Sequence, residues 1–347
     1  VRTVITGVTG FVGSHLAEYL LSMSDVEVFA FYRWRSRMDN LKDLAQAGKL
    51  NIIGENSSVT SPDQLSSMID KQGRKDALNL IESDMLDPYS MQRFIGAVKP
   101  DRIFHLAAQS YVPGSQNAPA ATLQTNILGQ LNIFEAVRQA SIFPLIHIAG
   151  SSEEYGLVHP HETPIKEDNP LRPLSQYGVS KVTQEMLAYQ YFMSFGLKTV
   201  VTRGFNHTGP RRGHVFVTSS FARQIVEVEK GLKPPIIYTG DPNSMRDFTD
   251  VRDMVRAYWL SLEKGEPGEV YNVGTGHAIS IRELGDILAS LAKVKVEFKV
   301  DENRLRPSDV TLLVADASKF KNRTGWEPQI PFTKTMSDLL DYWRERV

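Results

Sequence analysis

Tyr177 and Lys181 stand four residues apart in "YGVSK", the spacing that puts two side chains on one face of a helix. A phenol ordinarily loses its proton near pH 10, and an ammonium one turn away favours the phenolate. Such a pair can move a proton on and off an alcohol. Upstream, "FPLIHIAG" reads as a buried strand that breaks abruptly into Ser151, Ser152, Glu153 and Glu154. Carboxylates are seldom hidden without a partner or a task, so this strand end asks for an explanation.

A second group lies at the start of the chain. Gly7, Gly10 and Gly13 follow a short β-branched run and precede a helical pattern. A strand, a glycine turn and a helix start let a pyrophosphate approach bare backbone and meet the free N–H groups of the helix. This context predicts a dinucleotide site. The next strand ends "FYRWRSR", with Arg33, Arg35 and Arg37 and no acid before Asp39. An acid there would take a ribose 2′-hydroxyl, whereas a guanidinium suits a 2′-phosphate. NADP(H) is therefore expected rather than NAD(H). Asp84, after the third strand, is expected at the adenine.

The elements that must position these groups alternate. Strands "VEVFAFYR", "LNLIESD", "DRIFHLAA", "FPLIHIAG" and "KTVVTRGF" are separated by helical patterns, the longest "SQYGVSKVTQEMLAYQYFMSFG". The alternation predicts an α/β fold, a Rossmann-type doubly wound parallel sheet buried on both faces. Residues 36–80 read as a polar insertion with short helices at 39–47 and 62–72. Residues 1–205 are assigned to the nucleotide-binding domain. Residues 206–347 form a smaller α/β lobe, rich in Gly, Pro and Arg, with 250–262 returning to pack on the first domain.

Composition narrows the class. The 347 residues carry a net charge of -1, with 23% charged and 41% hydrophobic residues. That balance is globular and argues against broad nucleic-acid or membrane-surface binding. The absence of cysteine excludes disulfides, thiolate metal sites and a Cys nucleophile. The eight His lack ligand spacing, and His147 is expected to be a satisfied core residue. With no membrane-length apolar run and no signal peptide, a cytoplasmic protein is expected.

"TGVTGFVG", "GSSEEYG" and "YGVSK" together resemble the extended short-chain dehydrogenase/reductase family. "FNHTGPRRG", "RDFTDVRDMVRAYW", "GEVYNVGTG" and "LRPSDVTLLVADASK" are similar to its nucleotide-sugar branch, around GDP-mannose 4,6-dehydratase and GDP-6-deoxy-4-keto-mannose reductase. The resemblance implies a Ser151–Tyr177–Lys181 triad, with Ser151 on the substrate C4 oxygen and Glu153 as a base at C5. Glu154 is expected to point elsewhere. It implies a cofactor site of Gly7, Gly10, Phe11, Gly13, Arg33, Arg35, Asp84, Met85, Leu106, Ala107, Ala108 and His207, with Tyr177 and Lys181. The sugar nucleotide falls to Ser110, Asn206, Val217, Arg246, Arg306 and Asp309, the last at a position where the dehydratases usually have Glu.

The resemblance implies first a 4,6-dehydratase acting on GDP-mannose; the alternative is a 4-keto reductase consuming NADPH, and a 4-epimerase, which does not need Glu153 as a base, comes after both. A non-catalytic cofactor sensor would be expected to lack Tyr177 or Lys181. "TGFVG", "DFTDVRD" and the missing lysine after "FVT" are reductase-like; "PRRG" and the long 36–80 arm are dehydratase-like. The head group stays open among GDP, CDP, UDP and dTDP. A homodimer or homotetramer is implied, paired through the helices at 120–140 and 177–195, with 33–37 able to reach a neighbour.

Overall fold

The computed structural model describes residues 1–55, 57–304 and 312–347, in two compact units. One comprises Val1–Gly156, Pro173–Arg203 and Val255–Tyr271; the other comprises Leu157–Arg172, Gly204–Met254 and Asn272–Val347.

The first unit alternates as the sequence predicts. Its path is β1 (Arg2–Thr6), α1 (Phe11–Leu21), β2 (Glu27–Tyr32), α2 (Lys42–Gln46), β3 (Leu50–Ile53), α3 (Pro62–Gln72), β4 (Leu78–Glu82), α4 (Pro88–Val98) and β5 (Arg102–His105). It continues through α5 (Val112–Asn117), α6 (Pro119–Leu123), α7 (Gly129–Gln139), β6 (Leu145–Ser151), α8 (Gln176–Phe195) and β7 (Lys198–Gly204). An eight-stranded sheet forms in the order β11-β7-β6-β5-β1-β2-β4-β3, where β11 is Val270–Val273. It is parallel from β6 to β3. The strand order turns around at β1, which has β2 on one side and β5 on the other, and ligands of open α/β sheets bind at such a switch point. The strands are buried because helices cover both faces; Val4, Phe29, Ile103, Ile146 and Ile148 carry the core with Phe94 and Phe134 from the helices.

The polar insertion holds one element the hydrophobic pattern concealed. Its helices lie where expected, but β3 lies between them and pairs in parallel with β4 at the sheet edge. "LNII" is short, and Asn51 interrupts its apolar run. The Asn51 amide is nevertheless used, donating to Asn79 Oδ1 at 2.9 Å and to the Gln72 carbonyl at 2.8 Å. The helix expected over 120–140 is present as one continuous helical run, in which a π-helical stretch, Gln124–Leu128, joins α6 to α7.

The second unit contains β8 (Asn206–Thr208), α9 (Val217–Glu229), β9 (Ile236–Thr239) and β10 (Met245–Asp250), then β12 (Ala278–Ser280), α11 (Ile281–Leu291), β13 (Glu297–Val300) and β14 (Leu312–Leu313). α12 (Ser318–Thr324) and α13 (Phe332–Arg344) follow. α10 (Val251–Lys264) runs on from β10, and its residues from Val255 belong to the first unit. α9, α11 and α13 pack around Phe221, Ile225, Leu284, Leu288, Met336 and Leu339. Among the described residues, no helix is long and apolar enough to cross a membrane.

Candidate active site

The glycine turn is built by steric necessity. Gly7 has φ +71°, and a Cβ there would stand 2.9 Å from the backbone N and Cα of Ala107. A Cβ on Gly13 would stand 2.3 Å from the Gly7 carbonyl oxygen. Gly10 is the N-cap of α1 and puts no side chain between the helix N-terminus and an approaching anion. Thr6 Oγ1 accepts from the amides of Leu106 (3.0 Å) and Ala107 (2.9 Å), locking β1 to the half-buried segment after β5 that includes Ala108. Phe11 opens α1 with its ring edge-on to His15. These features fit a dinucleotide pyrophosphate.

Beside the turn, Arg33, Trp34, Arg35, Ser36, Glu82, Ser83, Asp84, Ser90 and Arg93 line a cavity of about 440 Å³. Arg35 lies over the exposed Trp34 ring at 4.2 Å. Arg37 is engaged by Asp39 at 2.8 Å, whereas the Arg33 and Arg93 guanidiniums have no hydrogen bond or ion pair among the described residues. Arg93 was not legible beforehand, since an Arg in the middle of an amphipathic helix reads as solvated. Asp84 is fixed by its own turn: its amide donates to Ser90 Oγ and its Oδ1 accepts from Leu86 N. Met85 turns its side chain into the core, close enough to Gly129 that a Cβ there would meet its sulfur at 2.9 Å. It is thus a core side chain.

Ser151, Glu153, Tyr177 and Lys181 share the first unit. β6 ends at Ser151, and a 3-10 turn, Ser152–Glu154, follows. The Ser151 hydroxyl accepts from the Glu153 amide at 3.2 Å. Ser175 caps α8 by accepting from Gly178 N, which sets Tyr177 and Lys181 in its first two turns. Both are buried, and the Lys181 ammonium lies 5.8 Å from the Tyr177 ring centre. Lys181 Nζ donates to the Ala149 carbonyl at 2.6 Å. Burial pulls the lysine down to about 8, opposed by the charge of Glu154. Burial likewise holds His105 and His147 neutral, both lowered to about 3. His147 meets Thr202 Oγ1 at 2.8 Å, a satisfied core histidine as expected.

Asn126 ties these parts together from the π-helical stretch. Fully buried, it exchanges hydrogen bonds with the backbone of Gln109 and donates to Ser180 Oγ at 2.8 Å; Ser180 in turn donates to the Tyr177 carbonyl. The sequence reading missed it. The only signal was a polar residue at the centre of "LQTNILG", and π-bulges often accompany functional positions. Ser110, in the same connection, is exposed.

In the second unit, Asn206 and His207 lie on β8, which pairs with β10, placing Asn206 opposite Phe248. His207 Nδ1 meets the Phe205 carbonyl at 3.0 Å, and burial with the nearby Arg212 lowers it to about 4, so the ring is neutral. Val217 is the first residue of α9. Arg246 lies on β10 with one nitrogen on the Met245 carbonyl. Arg306 and Asp309 lie outside the described residues.

The model of the GDP-mannose 4,6-dehydratase family matches residues 44–339. The chain belongs to that family. Among curated relatives, the GDP-6-deoxy-D-mannose reductase of Pseudomonas aeruginosa is 36% identical over 76% of this chain and 86% of its own. GDP-mannose 4,6-dehydratase 1 of Arabidopsis thaliana is 32% identical over 97% of this chain and 88% of its own. A structure of RMD from Pseudomonas aeruginosa complexed with NADPH superposes with TM-score 0.80, at 31% identity, over 100% and 99% of the two chains. The UDP-glucose 4-epimerase of Thermus thermophilus, complexed with NAD, gives 0.80 at 29% identity, over 100% of both chains.

This member of the GDP-mannose 4,6-dehydratase family is accordingly an extended short-chain dehydrogenase/reductase enzyme, with the large parallel sheet expected of that fold. Its relatives include both dehydratases and a reductase, so family membership leaves the reaction to be argued from the residues.

Proposed function

We propose that the protein is a nucleotide-sugar 4,6-dehydratase, converting GDP-mannose to GDP-4-keto-6-deoxy-mannose. The observation that carries this reading is the family match together with an acid, Glu153, in the turn between the Ser151 strand end and the Tyr177–Lys181 helix. The glycine turn would hold the pyrophosphate of NADP(H), and Arg33 and Arg35 the 2′-phosphate; a ribose acid of the NAD-binding type is missing at the end of β2. Bound there, the nicotinamide would supply the hydride chemistry between C4 and C6.

The chain's own residues manage the protons. Tyr177, with Lys181 favouring its phenolate, takes the proton of the C4 hydroxyl, and Ser151 hydrogen-bonds that oxygen. The resulting 4-ketone acidifies the C5 hydrogen, which Glu153 removes. The C6 hydroxyl leaves as water, protonated with help from Ser151 or a neighbouring acid; the proton that Tyr177 took passes to that donor, and Glu153 returns its proton to C5. The reaction yields one water per sugar with no net redox change. Asn206, Val217, Arg246, Arg306 and Asp309 are assigned to the sugar nucleotide, the arginines to its phosphates or ribose. Ser110 and His207 complete the substrate and cofactor contacts.

A reductase is the second reading, favoured by the 36% identity to the Pseudomonas aeruginosa enzyme. Incubation with GDP-mannose and no reductant separates the two. A dehydratase gives a C6 methyl and a hydrated C4 ketone by NMR with unchanged NADPH, and Glu153→Gln then blocks it. A reductase leaves GDP-mannose untouched and consumes NADPH one-for-one with the 4-keto sugar. A second copy of the chain is the partner we infer. Val179, Met186, Tyr189 and Met193 form an exposed apolar stripe along α8, and Leu128 is exposed ahead of α7.

A further inference from the structure

Glu154 has no part in the chemistry above, yet it is fully buried at the strand end. Its Oε1 accepts from the Ser151 amide at 2.7 Å. The approach is possible because residue 150 is glycine; a Cβ there would lie 2.7 Å from that oxygen. Two residues before Ser151 in the same strand, Lys181 holds the Ala149 carbonyl. Residues 149–151 are therefore gripped by an ammonium and a carboxyl.

The charges around Glu154 do not balance locally. Arg203, from β7, is already held by Glu185 in a two-point fork of 2.8 and 2.6 Å and donates to the Tyr155 hydroxyl. Glu154 Oε2 reaches Arg203 Nε only at 3.6 Å and has no hydrogen bond among the described residues. Two acids thus share one guanidinium, and the other cation facing Glu154 is Lys181. The groups facing Lys181 from β5 and β6, His105 and His147, are neutral.

We infer that Glu154 is a positioning residue for the active site: it pins the Ser151 amide and supplies the counter-charge that keeps Lys181 an ammonium. The inference rests on the reading of Tyr177 and Lys181 as the acid–base pair. Burial and the Glu185 carboxylate push the Glu154 carboxyl well above the usual range, against the pull of Arg203 and the Ser151 amide.

The test is Glu154→Gln in the full chain. Glutamine keeps an oxygen for the Ser151 amide and removes the charge. The Lys181 side chain is titrated by NMR with ¹³C-labelled lysine, its signal assigned through Lys181→Met, and the pH profile of kcat/KM is measured beside it. We expect the Lys181 midpoint and the alkaline limb both to fall by about one pH unit. Glu154→Leu, which also removes the amide acceptor, lowers kcat at every pH. An unmoved midpoint in Glu154→Gln overturns the inference, as does a moved midpoint with an unmoved profile. The titration needs no substrate, so loss of the dehydratase reading alone would not alter it.

Discussion

The carbonyl oxygen of Glu153 packs directly against the Cα of Gly178. A Cβ on Gly178 would stand 2.6 Å from that oxygen and 3.0 Å from the Pro173 ring. The glycine of "YGVSK" is therefore the place where the strand-end turn meets the helix carrying Tyr177 and Lys181.

Gly178→Ala tests that contact. Alanine improves helix propensity by about 1 kcal/mol, but the clash with backbone costs about 1–3 kcal/mol and displaces Glu153. The expected result is a melting temperature that does not rise and a kcat reduced at least about tenfold, a fall consistent with an angstrom-scale misplacement.

Gly13→Ala addresses the phosphate turn. Its Cβ would lie 2.3 Å from the Gly7 carbonyl and 2.7 Å from Val8 Cα, both backbone atoms that cannot yield cheaply. Calorimetric titration with NADPH should show binding lost or weakened more than about tenfold. Retained affinity would mean that the turn does not hold the pyrophosphate.

The guanidiniums of the 440 Å³ cavity should discriminate between cofactors. Arg33→Leu and Arg93→Leu are each expected to weaken NADPH about tenfold, the scale of one charge-assisted contact, and to leave NADH within about twofold. Equal losses for both cofactors would move these arginines away from the 2′-phosphate.

Lys181 gives opposite pH trends in stability and activity. Its folded pKa, about 8, lies below the unfolded value of about 10.5. Below pH 8 both states are protonated and the folded protein bears the full cost of burying the charge. Between 8 and 10.5 the unfolded chain binds more protons, so this group's contribution to stability rises with pH. The ammonium that assists Tyr177 is lost over the same range, so turnover falls. Melting curves of the wild type and Lys181→Met across pH 7–10 should converge or cross in that sense, while Tyr177→Phe abolishes turnover and retains NADPH. A pH-independent difference would show that Lys181 does not titrate there.

Much of the active-site scaffold was legible because it depends on local rules. The Gly7–Gly13 spacing reports a turn that only glycine can make, and the i, i+4 spacing of Tyr177 and Lys181 needs nothing beyond helical periodicity. Edge strand β3 was hidden because four residues with an asparagine among them carry too little pattern; pairing with β4 supplies what the pattern lacks. Asn126 was hidden because a π-helical stretch rotates residues off the 3.6-residue period.

Chain order and residue type were enough to predict the α/β alternation and the glycine turn, and to put Tyr177 and Lys181 on one helix face. Where Glu153 and Glu154 each lie was decided only by the fold. Adjacent residues in a tight turn point to different places: the Glu153 carbonyl lies on Gly178, and the Glu154 carboxyl is buried under Gly150 within reach of Arg203. No spacing rule separates two neighbouring carboxylates. Burial and the charges brought in from α8 and β7 do so, because their effect depends on distance through space and not along the chain.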